Sequence, residues 1–180
     1  MVDGETVQMN LEQRAREFAT IAHAGQLRKY TGEPYINHPA AVVELIRSVP
    51  HTEEMLAAAW LHDVVEDCGV TYGDLRDQGF DQWTCQLVCW LTDVSRPQDG
   101  NRARRKNLDL LHTMEAPPEA KTVKLADLID NTSSIVKYDP DFAKVYLKEK
   151  RALLAVLVQG DQTLWERANE TVQIMDEEDL

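Results

Sequence analysis

Apolar residues recur every three or four positions along most of the chain, the spacing at which they share one face of an α-helix. No stretch shows the strict alternation of apolar and polar residues that predicts a β-strand. The pattern therefore predicts an all-α fold, a helical bundle. The predicted helices run from Leu11 to near Gly25, from Pro39 to near Pro50, and over residues 53–66, 72–78, 81–91, 104–114, 119–136, 142–158 and 161–175.

The predicted helix over residues 53–66 differs from the others because it is apolar around nearly its whole circumference, up to His62. A helix of this kind is buried on all sides, so we expect it at the centre of the fold. Between the first two helices, Gly32 and Pro34 interrupt the pattern, and residues 26–37 are expected to form a loop.

The length of 180 residues fits one domain, spanning residues 1–180. The residues with candidate chemistry lie within 11–157, and the helices within 142–175 close the carboxyl-terminal side. The net charge of −12 argues against a nucleic-acid-binding protein, because phosphate backbones bind basic surfaces. A small anionic substrate needs only a local basic patch and is not excluded.

The three cysteines, Cys68, Cys85 and Cys89, form no disulfide framework, which suits a reducing cytosol. The first ten residues are polar and acidic, unlike a signal peptide. No apolar run reaches the roughly 18 residues that a transmembrane helix needs. We therefore expect a cytoplasmic protein with no membrane partner, and the sequence leaves open whether its copies form a homo-oligomer.

Two imidazoles and two carboxylates stand out as candidate metal ligands: His38, His62, Asp63 and Asp127. Asp63 and Asp127 both lie among apolar neighbours, where a carboxylate is costly unless it is paired or bound to a cation. The four residues come from three separate segments, as in metal sites built between the helices of a bundle. They predict a single divalent cation, although His38 could instead cap a helix and Asp127 could be a surface charge.

Glu66 and Asp67 follow His62 and Asp63 by four positions, so on a continuing helix they would lie one turn along the same face. Carboxylates placed there could orient or deprotonate a water beside the metal. The alternative is a solvated acidic helix end. Asn131 follows Asp127 by four and is expected either to bind a substrate or to order Asp127.

Basic residues cluster at two places in this acidic chain. Arg28 and Lys29 lie in the loop before His38. The second cluster consists of Arg102, Arg104, Arg105 and Lys106. Either cluster could bind a polyphosphate, and arginine can also stack on a purine. The alternative for the second cluster is a solvated helix start.

Four motifs in this order resemble the hydrolase domain of RelA/SpoT-type proteins. The resemblance covers roughly Leu11 to Leu157, and the single-domain length is similar to that of the small alarmone hydrolases in that family. A His-Asp pair alone is typical of the wide HD phosphohydrolase superfamily, whereas the ordered set is more specific. The motifs are Gln26-Leu27-Arg28-Lys29, Pro34-Tyr35-Ile36-Asn37-His38-Pro39, Leu61-His62-Asp63-Val64-Val65-Glu66-Asp67, and Lys124-Leu125-Ala126-Asp127 with Asn131.

The resemblance implies an all-α HD fold with one Mn²⁺ and a purine nucleotide substrate. Glu66 and Asp67 would serve the water that attacks the 3′-pyrophosphate of an alarmone, (p)ppGpp or (p)ppApp. The resemblance further implies that Arg28 lies against the purine, and that Tyr146 lies beside the sugar, where spacing alone would make it a core aromatic. Lys29 and Asn131 would lie near the substrate. The implied metal ligands are His38, His62, Asp63 and Asp127.

The chain departs from the family pattern after Asp127, where relatives often carry a basic residue and this sequence has Leu128-Ile129-Asp130. Guanine or adenine preference and the number of 5′ phosphates therefore stay open. The ligand set also suits Fe²⁺, Co²⁺ or Zn²⁺. The alternatives are an HD-family nucleotidase that releases orthophosphate from nucleoside monophosphates, and a non-catalytic alarmone-binding module. The Glu66–Asp67 pair argues against the binding module, which has no use for water activation.

Overall fold

A computed structural model of the protein describes residues 9–177, with side chains described through residue 173. The all-α prediction is confirmed for this part of the chain, in which one isolated bridge between Leu27 and Pro34 is the sole β-type pairing. The α-helices are α1 (Leu11–Ala22), α2 (Asn37–Arg47), α3 (Glu53–Leu61), α4 (Val64–Asp67), α5 (Tyr72–Asp77), α6 (Gln82–Leu91), α7 (Arg102–Glu115), α8 (Pro118–Tyr138), α9 (Pro140–Val156) and α10 (Gln162–Glu177). No helix in this part of the chain is both long and apolar enough to cross a bilayer.

Side-chain caps fix the starts of several helices. The Asn10 carboxamide accepts a hydrogen bond from Gln13 N at 2.8 Å, and the Gln13 side chain accepts one from Asn10 N at 3.0 Å. This reciprocal pair satisfies two backbone donors that the first turn of α1 would otherwise leave unpaired. The side chains of Asp81 and Asn101 cap α6 and α7, and each accepts one hydrogen bond from the backbone N–H three residues later.

The helix α3 lies at the centre of the fold, as its apolar circumference predicts. Every residue from Met55 to Leu61 is buried. The helix packs against α1, α2 and α6 and also contacts α8, which in turn packs against α2, α9 and α10. Burying one large aliphatic side chain stabilises a fold by roughly 1.5–3 kcal/mol. The core therefore holds α2, α3 and α8 rigidly against one another.

The prediction of one continuous helix over residues 53–66 is wrong. The helix α3 ends at Leu61, and His62 and Asp63 form a turn before α4 begins. The Ala59 carbonyl, which the backbone of residue 63 would reach in a continuing helix, accepts a hydrogen bond from His62 Nδ1 at 2.7 Å. This side-chain competition for a backbone acceptor explains the break. Glu66 and Asp67 therefore belong to α4, whose first turn is closed by a hydrogen bond from Asp67 N to the Asp63 carbonyl at 2.9 Å.

Two smaller features position the remaining elements. The helix α2 begins at Asn37, so His38 lies inside its first turn rather than just before it. Between α9 and α10, the chain approaches α8 closely at Gly160, where an added Cβ would stand 2.8 Å from Leu125 Cδ1. Glycine at this position lets α10 lie against α8.

Candidate metal centre

Four candidate ligands meet where α2, the turn after α3, and α8 come together. His38 Nε2 lies 3.2 Å from His62 Nε2 and 3.2 Å from Asp127 Oδ1. His38, His62 and Asp127 are buried, and their ligand atoms all lie within 4.8 Å of one another, close enough to hold one metal ion. Asp63 Oδ2 lies beside them, 3.0 Å from His62 Nε2 and 3.5 Å from His38 Nε2.

The outer nitrogens of the two imidazoles determine what their inner nitrogens offer. His62 Nδ1 lies 2.7 Å from the Ala59 carbonyl, which can only accept, so Nδ1 carries the hydrogen. His38 Nδ1 lies 2.7 Å from Asp130 Oδ2 and likewise donates to this carboxylate. Both Nε2 lone pairs are thereby turned toward the centre, in the arrangement that metal-binding histidines adopt.

The charges around the centre favour the binding of a cation. Burial lowers the pKa of His38, but hydrogen bonds to Asp127 and Asp130 outweigh it and raise the pKa to about 9. Burial also lowers the pKa of His62, but the nearby Asp63 carboxylate outweighs burial, so the pKa is raised. The pKa of Asp127 stays well below its usual range despite burial, because Lys124 and the two histidines lie nearby. A proton or a metal ion is therefore stabilised among these acceptors, and the donor set of two nitrogens and two carboxylates fits a divalent transition metal.

Two hydrogen bonds hold the carboxylates in place. Asn131 Nδ2 donates to Asp127 Oδ1 at 2.6 Å, so Asn131 orders Asp127, one of the two roles its spacing suggested. Tyr35 Oη donates to Asp63 Oδ2 at 2.7 Å. Burial and the Asp63 charge raise the pKa of Tyr35, so the phenol remains a donor at neutral pH. Such outer contacts fix the orientation of metal-binding carboxylates.

Glu66 and Asp67 lie on α4, next to the turn that carries His62 and Asp63. Glu66 Oε1 accepts a hydrogen bond from Asp93 N at 2.6 Å. Loss of hydration and the Asp93 charge raise the pKa of Glu66 to about 7, within the range suited to a general base. Asp67 Oδ2 accepts from Gln26 Nε2 at 2.9 Å, so the loop before α2 holds this carboxylate.

On the other side of His38, the side chains of Arg28, Lys29 and Asn131 line a small pocket of about 130 Å³. Arg28 is half-buried and its Nη1 lies 2.7 Å from Asp130 Oδ2, while Nη2 donates to Ser134 Oγ at 3.3 Å. Lys29 is exposed, with Nζ 3.5 Å from an Asp139 carboxylate oxygen. Asp130 therefore joins a candidate metal ligand, His38, to the arginine that lines this pocket.

The remaining predicted residues lie around α7 and α9. Tyr146 is buried in α9, and its hydroxyl has no hydrogen-bond partner among the described residues. Arg102 opens α7 and pairs with Glu149 through Nε at 2.7 Å. Lys106 Nζ pairs with Asp93 Oδ2 at 2.6 Å, and Arg104 is exposed on the first turn of α7. Arg105 lies half-buried between them. Carboxylates of the protein itself therefore already engage two of the four members of this basic cluster.

Sequence reasoning missed four residues that organise the centre. Tyr35 and Gln26 lie inside motifs that were singled out, but nothing in the sequence shows that they reach Asp63 and Asp67. In the sequence, Asp130 stands out only as part of the departure from the family pattern after Asp127. A signal for it was available, since a carboxylate three positions after a buried Asp127 lies on a neighbouring part of the same helix face. Asp93 acts through its backbone N–H, which no side-chain pattern reveals.

Comparison with known proteins identifies the fold family. The family model HD_4, described as an HD domain, matches residues 15–163. The guanosine-3′,5′-bis(diphosphate) 3′-pyrophosphohydrolase of Aquifex aeolicus is 31% identical over 145 residues, which is 81% of this chain and 20% of the relative. A probable GTP pyrophosphokinase of Mycobacterium leprae is 31% identical over 150 residues, covering 83% of this chain and 19% of the relative. The chain thus spans about a fifth of the length of these curated relatives.

A solved structure agrees with the sequence matches. The structure described as a metazoan ortholog of SpoT that hydrolyses ppGpp superposes with a TM-score of 0.82 at 25% identity. The alignment covers 93% of this chain and 97% of that one. The resemblance predicted from the motifs is confirmed by these matches. The chain belongs to the HD-domain family, and its domain is of the RelA/SpoT type.

Proposed function

We propose that the protein is a Mn²⁺-dependent hydrolase that removes pyrophosphate from the 3′ position of a purine alarmone, (p)ppGpp or (p)ppApp. One observation carries the proposal: two imidazole nitrogens and two carboxylates converge beside Glu66 and Asp67. Relatives and a structural neighbour of the chain are named for this reaction, which supports the choice of substrate.

His38, His62, Asp63 and Asp127 would hold the ion. Their chemistry suits Mn²⁺ among several divalent transition metals. When bound, such an ion lowers the pKa of a coordinated water and draws charge from a phosphoryl oxygen. Asn131 and Tyr35 would keep the two carboxylates oriented, because each already donates a short hydrogen bond to one of them.

Glu66 and Asp67 would act on the attacking water. The water oxygen forms a bond to the phosphorus attached to the sugar O3′, and its proton passes to the Glu66 carboxylate. The bond between that phosphorus and O3′ breaks, and O3′ takes up a proton. The products are pyrophosphate and a nucleotide with a free 3′-hydroxyl. Asp67, held by Gln26, would orient the water for this attack.

The pocket beside His38 would receive the nucleoside. Asp130 and Ser134 hold the Arg28 guanidinium in one plane, which suits stacking against a purine. Lys29 lies at the exposed side of this pocket, where it would meet a phosphate. The buried Tyr146 hydroxyl, which lacks a partner among the described residues, would be free to bind the sugar.

A panel of nucleotides tests the proposal. Purified protein with Mn²⁺ is incubated with ppGpp, ppApp, GMP and AMP, and the products are separated by chromatography. We expect pyrophosphate and the parent nucleotide in equal amounts from at least one alarmone, none from the metal-free protein, and at least about a hundredfold less from Glu66→Gln. Orthophosphate released from GMP or AMP would favour the nucleotidase alternative. Tight alarmone binding without turnover would favour a binding module. Either result overturns the proposal.

A further inference from the structure

A second cavity lies among α7, α8 and α9 and shares no lining residue with the pocket beside His38. Its volume of about 510 Å³ falls in the range of small-molecule sites. Each of the three helices contributes a lysine to its wall: Lys106 from α7, Lys124 from α8 and Lys150 from α9. Lysines from three separate helices therefore border one half-open cavity, together with the carboxylates of Asp93, Asp109 and Glu149.

This cavity shares a wall with the candidate metal centre. Lys124 lines the cavity, and its Nζ lies 3.5 Å from Asp127 Oδ2. Asp93 also lines the cavity, and its backbone N–H donates to Glu66 Oε1 at 2.6 Å. A phosphate group in the cavity would therefore lie close to the residues proposed to hold the metal and activate the water.

The lysines differ in how their charges are balanced. Lys106 is paired with Asp93 at 2.6 Å and lies 3.5 Å from Asp109. For Lys150, no carboxylate of residues 9–173 lies within 4.0 Å of Nζ, which stands 4.7 Å from the centre of the Tyr146 ring. In a protein with a net charge of −12, an inward-facing ammonium group without a carboxylate partner is unusual. Its charge is left available for an anion that comes from outside the chain.

We propose that the cavity is a diphosphate-binding subsite in which Lys150, assisted by Lys124 and Lys106, holds the anion. Lysine suits this role because its ammonium is a compact charge with three rotatable donors. The diphosphate is either the leaving pyrophosphate or the 5′-diphosphate of the nucleotide. The identity of the source rests on the proposed function, whereas binding of the anion itself does not.

Calorimetry with inorganic pyrophosphate tests the subsite independently of turnover. The full chain is freed of metal, and wild type is compared with Lys150→Met, Lys150→Arg and a matched control, Lys137→Met. Lys137 is exposed on α8 and does not line the cavity. Loss of one hydrogen bond between charged groups predicts pyrophosphate binding at least about tenfold weaker in Lys150→Met. Lys150→Arg should retain most of the affinity, and Lys137→Met should match wild type.

Kinetics on the Mn²⁺-loaded protein then separates the two sources. If the cavity takes the 5′-diphosphate, Lys150→Met raises KM for ppGpp by about tenfold and leaves KM unchanged for guanosine 3′-diphosphate, which lacks 5′ phosphates. If the cavity takes the leaving group, the KM values for both substrates are unchanged in Lys150→Met, and inhibition by pyrophosphate weakens by about tenfold. Pyrophosphate affinity in Lys150→Met equal to that of wild type would overturn the subsite, even where ppGpp is hydrolysed. Absence of hydrolysis together with the calorimetric loss would overturn only the proposed function.

Discussion

Two neighbouring regions along α8, the acceptor side around Asp127 and the lysine side around Lys124, carry opposite chemistry within one helical turn. Asp127 faces a centre made of acceptors, in which His38 Nε2 and carboxylate oxygens of Asp63 and Asp127 lie within 3.8 Å of His62 Nε2. Lys124, three residues earlier, lines a cavity bordered by ammonium groups. The acceptor side suits a metal ion, and the lysine side, where Lys150 has no carboxylate of residues 9–173 within 4.0 Å, suits a phosphate. The comparison therefore predicts that the two sides respond differently to mutation.

The largest expected effect is on the acceptor side. Asp127→Asn removes a buried charge from the centre, and we expect it to lower both kcat and Mn²⁺ affinity by about a thousandfold or more. Metal affinity is measured by calorimetry and kcat by pyrophosphate release. The control Asp77→Asn makes the same change of charge at the exposed last residue of α5 and should behave as wild type. Unchanged Mn²⁺ affinity in Asp127→Asn would remove Asp127 from the ligand set.

Glu66→Gln should lower the rate of the chemical step without weakening metal binding. Removing a general base lowers kcat by roughly 10²–10⁴-fold. Mn²⁺ affinity should stay within about twofold, because Glu66 bonds to the Asp93 backbone rather than to the four candidate ligands. Glu115→Gln, at the exposed end of α7, is the matched control. A kcat close to wild type in Glu66→Gln would assign the base to another residue.

Asp130→Ala tests the contact between the metal centre and the nucleoside pocket. Loss of a carboxylate that orients a metal-binding histidine typically costs about 10–100-fold in metal affinity. We expect that loss here because His38 Nδ1 donates to Asp130. Ser134→Ala removes the other Arg28 partner without touching His38, so it should raise KM and leave metal affinity unchanged. Equal metal affinity in Asp130→Ala and wild type would show that Asp130 does not orient His38.

The smallest effect is expected on the lysine side and depends on pH. Burial and the nearby Lys124 lower the pKa of Lys150 to about 8, against 10.5 for a free lysine. Between these values the unfolded chain binds more protons than the folded one, so stability rises with pH. Below pH 8 the folded state bears the full cost of the charge. The lowered pKa corresponds to roughly 3 kcal/mol, and losing the contact with the Tyr146 ring offsets about 2 kcal/mol of it, so Lys150→Met should be more stable than wild type by about 1 kcal/mol at pH 7.

This advantage of Lys150→Met should shrink steadily between pH 8 and pH 10.5, as the folded wild type sheds the proton. Thermal melts at several pH values measure it, and about 1 kcal/mol corresponds to a shift of roughly 2–4 °C for a domain of this size. An offset between the two melting temperatures that is the same at pH 7 and pH 10 would contradict the assignment of a lowered pKa to Lys150.

The acceptor side could be predicted from sequence because its residues lie in apolar stretches or in a recognisable motif. Asp63 and Asp127 interrupt apolar stretches, and His38 lies in an ordered motif. The break after α3 could not be predicted in the same way. It depends on the His62 ring reaching the Ala59 carbonyl, whereas the local sequence favours a continuing helix.

The sequence did not predict the lysine side. Lys150 lies in a run of charged residues on α9 that is typical of a solvated helix face. Its position in a cavity depends on how α7 and α9 pack against α8, which no local pattern encodes. The basic cluster that did stand out, around Arg102, is partly engaged with Glu149 and Asp93. Clustering in sequence therefore identified the acidic centre better than the basic one.

The measurement that tests the account most directly is anomalous diffraction at the manganese edge from crystals of the protein grown with Mn²⁺. The account predicts one strong peak per chain, within bonding distance of Nε2 of both histidines and of carboxylate oxygens of Asp63 and Asp127. A peak elsewhere, or no peak at this position in fully active protein, would contradict it.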